Sequence, residues 1–291
     1  MFQRVCIMGV GLLGGSIGMA LRARKLAREV VGHGRSSERL QKAIELGAID
    51  LGYCDIADAA RHADLIVACG PVQEIAKQLA SASPFMLPTG VMTDVGSTKE
   101  TILDEVHRLG ISQSFVGSHP MAGSDRTGVE HASADLFEGR VVIVTTGSPV
   151  DPNRLNRIES FWRSLGARVI LMGPHEHDVA VASISHLPHL LAAALAEFTP
   201  EQWIDVAASG WASTTRVAAG DPELWRQIFE ENRDCLVDTF RAFEERLKVW
   251  KNAIELGDTQ QLLHLLSAAQ TKRLNATHQH TRGSDVSRTP G

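Results

Sequence analysis

The residues whose types and spacing point most clearly to a chemical function form a glycine-rich turn near the N-terminus. The pattern G-x-G-x-x-G lies between an apolar run at 4–10 and a stretch with helical spacing. Glycines in such a turn let a pyrophosphate approach backbone N–H groups at the positive end of a helix. Glycines that serve only a tight turn are the alternative. Because the strand and helix flank the pattern as required, the sequence predicts a dinucleotide site at Gly9, Gly11, Leu12, Leu13 and Gly14.

The end of the second apolar run, at 29–34, bears on which dinucleotide is bound. Arg35, Ser36 and Ser37 follow this run, where an acidic residue would hydrogen-bond a ribose 2′-hydroxyl. A guanidinium and two hydroxyls suit a 2′-phosphate better than a bare diol. The sequence therefore favours NADP over NAD, with either possible. A solvated loop with an ordinary surface arginine is the alternative.

Two further polar segments follow apolar runs. "TDVGSTK" at 93–99 contains Ser97, and "GSHPMAGSD" at 117–125 contains His119. In open α/β sheets, ligands bind at the carboxyl edge of the strands. We therefore expect Ser97 and His119 to face the same nicotinamide. A hydrogen-bonded structural histidine is the alternative for His119.

The elements that must position these residues change character along the chain. Residues 1–172 alternate short apolar runs with amphipathic stretches, which is typical of βαβ units and a mainly parallel sheet. Residues 173–276 show helical periodicity and nothing strand-like. The polar segment 277–291, punctuated by glycine and proline, is expected to be disordered. With 291 residues, 44% of them hydrophobic, the chain can bury two cores.

Charge and cysteine content exclude several classes of partner. The net charge is −5, and the 29 Lys and Arg residues are scattered, so neither nucleic acid nor an anionic membrane is an expected partner. No apolar run is expected to span a membrane and no leader is expected. The four cysteines form no CxxC pair, which favours a reducing cytoplasm. His186 and His189 lack further ligands at matching spacing, so no metal is expected.

A helical stretch from Pro222 to about Gly257 carries an apolar stripe with a period near 3.5 residues. Such a stripe favours packing along a partner helix. Burial within one subunit is the alternative. The stripe consists of Leu236, Phe240, Phe243, Leu247, Trp250 and Ile254.

Five blocks of the sequence resemble the prephenate/arogenate dehydrogenases of tyrosine biosynthesis. They are "GVGLLGGSIG", "DVGSTK", "GSHPMAGS", "SISHLPH" and "TTRVAAGDPELW". The resemblance implies an α/β Rossmann-type domain followed by an all-α domain that forms a homodimer. It also implies NAD(P)-dependent oxidation of a 4-hydroxycyclohexadiene ring with loss of carbon dioxide, which would convert prephenate to 4-hydroxyphenylpyruvate.

The resemblance also implies roles for individual residues. His119 would accept the proton of the C4 hydroxyl as hydride departs, while Ser97 would orient that hydroxyl. Arg216 would bind the ring carboxylate, and His189 would donate or accept a substrate hydrogen bond. Ser124 and Asp125 would also contact the substrate.

The choice between prephenate and arogenate stays open. Trp211, Ala212 and Ser213 depart from the more polar segment of many family members, and Asp125 stands where some have Glu. Two other functions stay open as well. One is a β-hydroxyacid-type NAD(P) dehydrogenase, which would normally need a lysine in the helical domain, and the other is a nucleotide-sensing regulator without turnover.

Overall fold

The structure is a computed structural model that describes residues 1–123, 126–145, 147 and 151–285. The chain forms two compact units, Met1–Arg233 and Asp234–Gly291. The first unit contains every described strand and the helices as far as Glu231. The second contains the helices that follow, from Asp234 onward.

The strands belong to two sheets in the first unit. They are β1 (Phe2–Met8), β2 (Ala27–His33), β3 (Leu51–Tyr53), β4 (Leu65–Ala68), β5 (Val91–Asp94), β6 (Ser118–Pro120), β7 (Val141–Thr145) and β8 (Arg168–Met172). A five-stranded parallel sheet has the order β3-β2-β1-β4-β5, and a three-stranded sheet has the order β6-β7-β8, with β6 antiparallel to β7. One parallel bridge between Met92 and Phe115 joins the edge of the first sheet to the segment that leads into β6.

Helices connect the parallel strands and then continue without further strands through the rest of the described chain. They are α1 (Leu12–Ala23), α2 (Ser37–Glu45), α3 (Ile56–Ala60), α4 (Val72–Ala82), α5 (Glu100–Arg108), α6 (Pro152–Ser164), α7 (Pro174–Val181), α8 (Leu187–Phe198), α9 (Ser209–Thr215), α10 (Pro222–Glu231), α11 (Arg233–Glu255) and α12 (Thr259–Asp285).

Alternation along the strands builds a core on each face of the parallel sheet. In β1, Val5 and Ile7 pack into one cluster with α1 and α6, whereas Cys6 and Met8 pack into the other cluster with α4. Both faces are therefore apolar, as expected for a parallel sheet covered by helices on both sides. This burial leaves the loops at the carboxyl ends of the strands to carry the polar chemistry.

The predicted fold class is confirmed: a Rossmann-type α/β region precedes helices only. Three local expectations differ from the structure. The short strand β3 was not predicted, because no apolar run marks it in the sequence. The apolar run at 114–118 forms a strand only from Ser118 onward. The expected single helix from Pro222 divides at Asn232 into α10 and α11.

The C-terminal segment also differs from the expectation over part of its length. Helix α12 continues to Asp285 and so includes the first residues of the stretch 277–291 that the sequence predicts to be disordered.

One helical segment of the described chain, Pro174–Phe198, is long and apolar enough to cross a membrane by length and composition. The sequence expectation that no run reaches this length was therefore wrong. The segment is interrupted by a π-helical turn and contains four histidines that face polar or aromatic partners within the first unit. These contacts are those of a core helix in a folded domain.

Candidate active site

The glycine turn has the backbone geometry that a pyrophosphate requires. Gly9 follows β1 with a φ of 96°, in the left-handed region that favours glycine. A Cβ on Gly14 would lie 2.2 Å from the carbonyl oxygen of Gly9, so a side chain there would displace the turn. A Cβ on Gly11 would meet nothing within 4 Å and would project into open space before the first turn of α1. The chain thus fits a dinucleotide here, with Leu12 and Leu13 in that first turn.

The residues after β2 lie at the N-terminus of α2. Ser36 caps this helix by accepting a hydrogen bond from the Arg39 N–H at 3.3 Å, and Ser37 is its first residue. The Arg35 side chain is exposed beside them. Positive helix ends and a guanidinium both attract anions.

An acidic group also lies near this site, brought there by the neighbouring strand. Asp55 follows β3, and its charge opposes the burial that lowers the pKa of half-buried His33 at the end of β2. Sequence inspection of 30–37 alone misses this carboxylate, because β3 pairs with β2 from a distance in sequence.

Asp94 ties together the two segments that carry Ser97 and His119. One carboxylate oxygen accepts from the Gly96 N–H at 2.8 Å and from the buried Lys99 ammonium, and the other accepts from the Ser118 N–H at 2.9 Å. Half-buried Ser97 therefore lies in a loop that is anchored to β5, beside the start of β6.

A buried group of hydrogen-bonded side chains holds β6 in place. The Trp162 indole N–H donates to the Ser118 hydroxyl at 2.9 Å, and that hydroxyl is 2.7 Å from the hydroxyl of Thr93. All three side chains are buried. A buried indole with its partner holds Ser118, and hence the adjacent His119, in one position.

His119 begins a chain of hydrogen bonds that runs into α7. Its Nδ1 lies 2.8 Å from Nε2 of His177, and Nδ1 of His177 lies 2.7 Å from Oδ1 of Asp178. The two Asp178 oxygens also accept from the backbone N–H groups of Lys99 at 2.8 Å and Glu100 at 2.9 Å. The Asp178 carboxylate, which these N–H groups hold in place, is therefore connected to the His119 ring through two hydrogen bonds, with His177 between them.

Electrostatics keep His119 neutral. Burial is the main cause that holds its pKa well below 6.5, and His177, Lys99 and His186 lower it further. Burial also lowers the pKa of His177, although Asp178 acts in the opposite direction. For Asp178, burial raises the pKa, but the hydrogen bonds from His177 and the two backbone N–H groups outweigh it and leave the pKa lowered. A neutral imidazole is the form that can accept a proton.

A π-helical turn at Ala182–His186 separates α7 from α8. Pro188, two residues after this turn, lacks the N–H that a regular α-helix would donate to Ile184, which accounts for the irregular turn at this point. Asn232, between α10 and α11, donates to the Asp178 carbonyl oxygen at 2.8 Å and to Nδ1 of His186 at 3.1 Å. The break in the long predicted helix therefore supplies an amide that supports the site.

His189 is held between aromatic surfaces. Its ring stacks on Trp225 with centroids 3.5 Å apart and an interplanar angle of 13°, and Gly220 lies against its edge. The ring is buried, yet its Nδ1 has no hydrogen-bond partner among the described residues. A buried polar atom of this kind is usually satisfied, so a ligand atom is a natural partner.

Other predicted substrate residues are less clearly placed. Arg216 is exposed at the start of a short 3₁₀ turn, Arg216–Ala219, which leads directly to Gly220 beside His189. No contact joins it to His119 in the described part of the chain. Ser124 and Asp125 lie outside the described residues.

The structure adds residues that sequence reasoning did not assign. Asp94 and Lys99 belong to the "DVGSTK" block, so that block held a usable signal. His177 and Asp178 lie in "HEHD", a segment to which the sequence analysis assigned no role. Asn232 carries no sequence signal, because its role depends on the contact between α10 and α7.

Two family models match the chain. "Prephenate dehydrogenase, nucleotide-binding domain" matches residues 17–171, and "Prephenate dehydrogenase, dimerization domain" matches residues 173–268. The prephenate dehydrogenase of Bacillus subtilis is 30% identical over 281 residues, which cover 94% of this chain and 76% of the relative. The cyclohexadienyl dehydrogenase of Zymomonas mobilis is 30% identical over 288 residues, which cover 96% and 98%.

Solved structures agree with these matches. Prephenate dehydrogenase from A. aeolicus, in complex with hydroxyphenyl propionate and NAD+, has a TM-score of 0.89 at 30% identity and covers 95% of this chain and 99% of its own. Synechocystis arogenate dehydrogenase has a TM-score of 0.83 at 29% identity, with coverage of 94% and 100%. The fold, the glycine turn and the matched domains together show that the chain belongs to the prephenate dehydrogenase family.

Proposed function

We propose that this protein is an NAD(P)-dependent dehydrogenase that oxidises and decarboxylates prephenate in tyrosine biosynthesis, with arogenate as the alternative substrate. The observation that carries the proposal is the hydrogen bond from His119 to His177, which in turn contacts the Asp178 carboxylate. His119 lies beside the carboxyl edge of a dinucleotide-binding sheet, next to Ser118, whose N–H donates to Asp94. The relatives named above are prephenate, cyclohexadienyl and arogenate dehydrogenases.

The residues of the chain divide the work on the substrate ring. His119 accepts the proton of the C4 hydroxyl, and Ser97 orients that hydroxyl from the loop after β5. The oxidised nicotinamide dinucleotide, whose pyrophosphate the glycine turn would hold, would supply the hydride acceptor. Loss of hydride makes C4 a carbonyl, and this carbonyl is the electron sink for loss of the ring carboxylate, so the protein has only to position and deprotonate.

The carboxylates of the substrate need cationic and hydrogen-bonding partners. Arg216 would bind the ring carboxylate through its guanidinium fork. His189 would satisfy its unpartnered Nδ1 with a substrate atom. We assign substrate contacts to Ser124 and Asp125 on the family resemblance alone.

For the cofactor, NADP is favoured over NAD. Exposed Arg35, the hydroxyls of Ser36 and Ser37 and the N-terminus of α2 support a 2′-phosphate. The Ser36 oxygen is engaged as a helix cap, and its hydrogen remains available as a donor. The charge of Asp55 near His33 limits the preference, so NAD should also be used.

Three further assignments concern the whole chain. A homodimer would cover the apolar stripe of α11, where Leu247 is 46% exposed and Ile254 is 64% exposed in the single chain. The domain boundary is placed between residues 172 and 173, with 173–276 forming the helical domain. A cytoplasmic location suits a biosynthetic enzyme with free thiols.

The experiment that tests this function combines prephenate or arogenate with each oxidised cofactor and follows reduced nicotinamide by absorbance. His119→Asn should lower kcat by about 10²–10⁴-fold with little change in substrate KM, because the base is lost while the polar shape is kept. His107→Asn, at an exposed position on α5, is the matched control. Near-normal kcat in a folded His119→Asn variant would return His119 to a structural role.

A further inference from the structure

The hydrogen bonds around His119 specify which of its nitrogens is the base. The Asp178 carboxylate only accepts, so Nδ1 of His177 carries hydrogen and its Nε2 is an acceptor. Nδ1 of His119 must then donate to that Nε2, at 2.8 Å. Nε2 of His119 is left with the lone pair that receives the substrate proton. The tautomers of both rings therefore follow from one anchored carboxylate.

The same chain offers the arriving proton a second position. Building on the proposed function, we propose that His177 is a proton relay: as Nε2 of His119 takes the substrate proton, the Nδ1 proton of His119 passes to Nε2 of His177. The positive charge then rests on His177, in contact with the Asp178 carboxylate, and His119 stays neutral in its other tautomer.

The balance of charges in the site favours His177 as the resting place. Asp178 is in direct contact with His177, and its charge raises the pKa of that ring against the effect of burial. For His119, burial and the neighbouring His177, Lys99 and His186 all lower the pKa. The charged and titratable groups that act on the two rings are Lys99 and Asp94 from the β5 segment, Asp178 from α7, and His186 from the π-helical turn.

The proposed reaction gives such a relay a defined task. The C4–H bond pair leaves as hydride to the oxidised nicotinamide dinucleotide, the O–H bond pair forms the C4 carbonyl, and the proton enters the relay. When the ring carboxylate leaves as carbon dioxide, its bond pair makes the ring aromatic. The phenolate oxygen then recovers the proton from Nε2 of His119, and His177 returns its proton to Nδ1.

This balance releases no proton to solvent during turnover. The relay needs only to hold a charge for a short time and needs no exit path. His177 is 0% exposed and Asp178 is 1% exposed. A sealed acceptor beside a fixed carboxylate therefore suits storage of a proton, whereas a route to solvent would serve no purpose.

His177→Gln separates relay from simple positioning. The Gln amide oxygen can still accept from Nδ1 of His119 and hold its tautomer, but the amide cannot take a proton. We expect the single-turnover rate of nicotinamide reduction to fall at least about tenfold, with both KM values unchanged. His175→Gln, on the exposed side of the same helix, is the matched control. A His177→Gln rate within twofold of wild type would overturn the relay.

The solvent isotope dependence of the rate responds to proton movement and not to folding. In mixtures of light and heavy water, the wild-type rate should depend on deuterium content with the curvature of two moving protons, and the His177→Gln rate should depend on it linearly. A linear wild-type dependence would count against the relay. Absence of turnover with either substrate would instead remove the proposed function, and the relay with it.

Nitrogen NMR of histidine-labelled enzyme tests the same point without turnover. On acidification, His177 should acquire the signals of an imidazolium, while His119 moves its hydrogen from Nδ1 to Nε2 and stays neutral. Appearance of the imidazolium on His119 would overturn the proposal even if the kinetic variants were inactive.

Discussion

His186 should make the folded protein sensitive to mild acid. Burial lowers the pKa of this ring from 6.5 to about 4, while an unfolded chain keeps the ordinary value. As pH falls below 6.5, the unfolded state therefore binds a proton that the folded state does not. The contribution of His186 to the free energy of unfolding is complete above that pH and is lost progressively as pH falls toward 4.

The size of the effect follows from the two pKa values. The full loss amounts to about 3 kcal/mol once both states are protonated, and about 2 kcal/mol of it has gone at about pH 5. The matched perturbation is His186→Asn, since an Asn oxygen can replace Nδ1 as the acceptor for the Asn232 amide, which lies 3.1 Å away. This variant keeps the hydrogen bond and removes the titration.

Urea unfolding followed by tryptophan fluorescence, at one protein concentration, gives the free energy of unfolding at about pH 7.5 and about pH 5. Wild type should lose about 2 kcal/mol more between these conditions than His186→Asn, and exposed His107→Asn should behave like wild type. Equal losses in wild type and His186→Asn would show that His186 is not held neutral, and the reasoning from burial would fail.

Three other perturbations test separate parts of the site. Arg216→Ala should raise substrate KM by an amount equivalent to about 1.5–3 kcal/mol and leave cofactor KM unchanged; a change in cofactor KM alone would place Arg216 elsewhere. Wild type should prefer NADP by about tenfold in kcat/KM, and Arg35→Asp should reverse the order; a wild-type preference for NAD would contradict this. Lys99→Met should lower the free energy of unfolding by about 3–5 kcal/mol, because it leaves the Asp94 charge buried without its ammonium partner. Urea unfolding measures this loss, and a loss below about 1 kcal/mol would show that Asp94 needs no cation.

The sequence was informative wherever chemistry depends on local pattern. The glycine turn could be predicted because strand, glycines and helix are contiguous, and the family resemblance directed attention to His119. The sequence could not reveal the hydrogen-bond partner of His119, because His177 comes close to His119 only after the chain has passed through β7, α6 and β8. Asp55 was missed for the same reason, since pairing of β3 with β2 brings it near the cofactor end of the sheet.

The π-helical turn at Ala182–His186 adds one residue to a turn of the apolar helical segment Pro174–Phe198, and so changes the angular position of every later residue around the helix axis. In a regular α-helix, the twelve steps from His177 to His189 would rotate the second side chain by about 120° relative to the first. One looped-out residue reduces this rotation to about 20°, which in ideal helix geometry brings the two positions to one side of the helix. A relative that lacks one residue in this turn would keep both histidines in its sequence and yet lose their common direction. Insertions and deletions at 182–186 are thus a better guide than histidine identity to whether a related chain retains this arrangement.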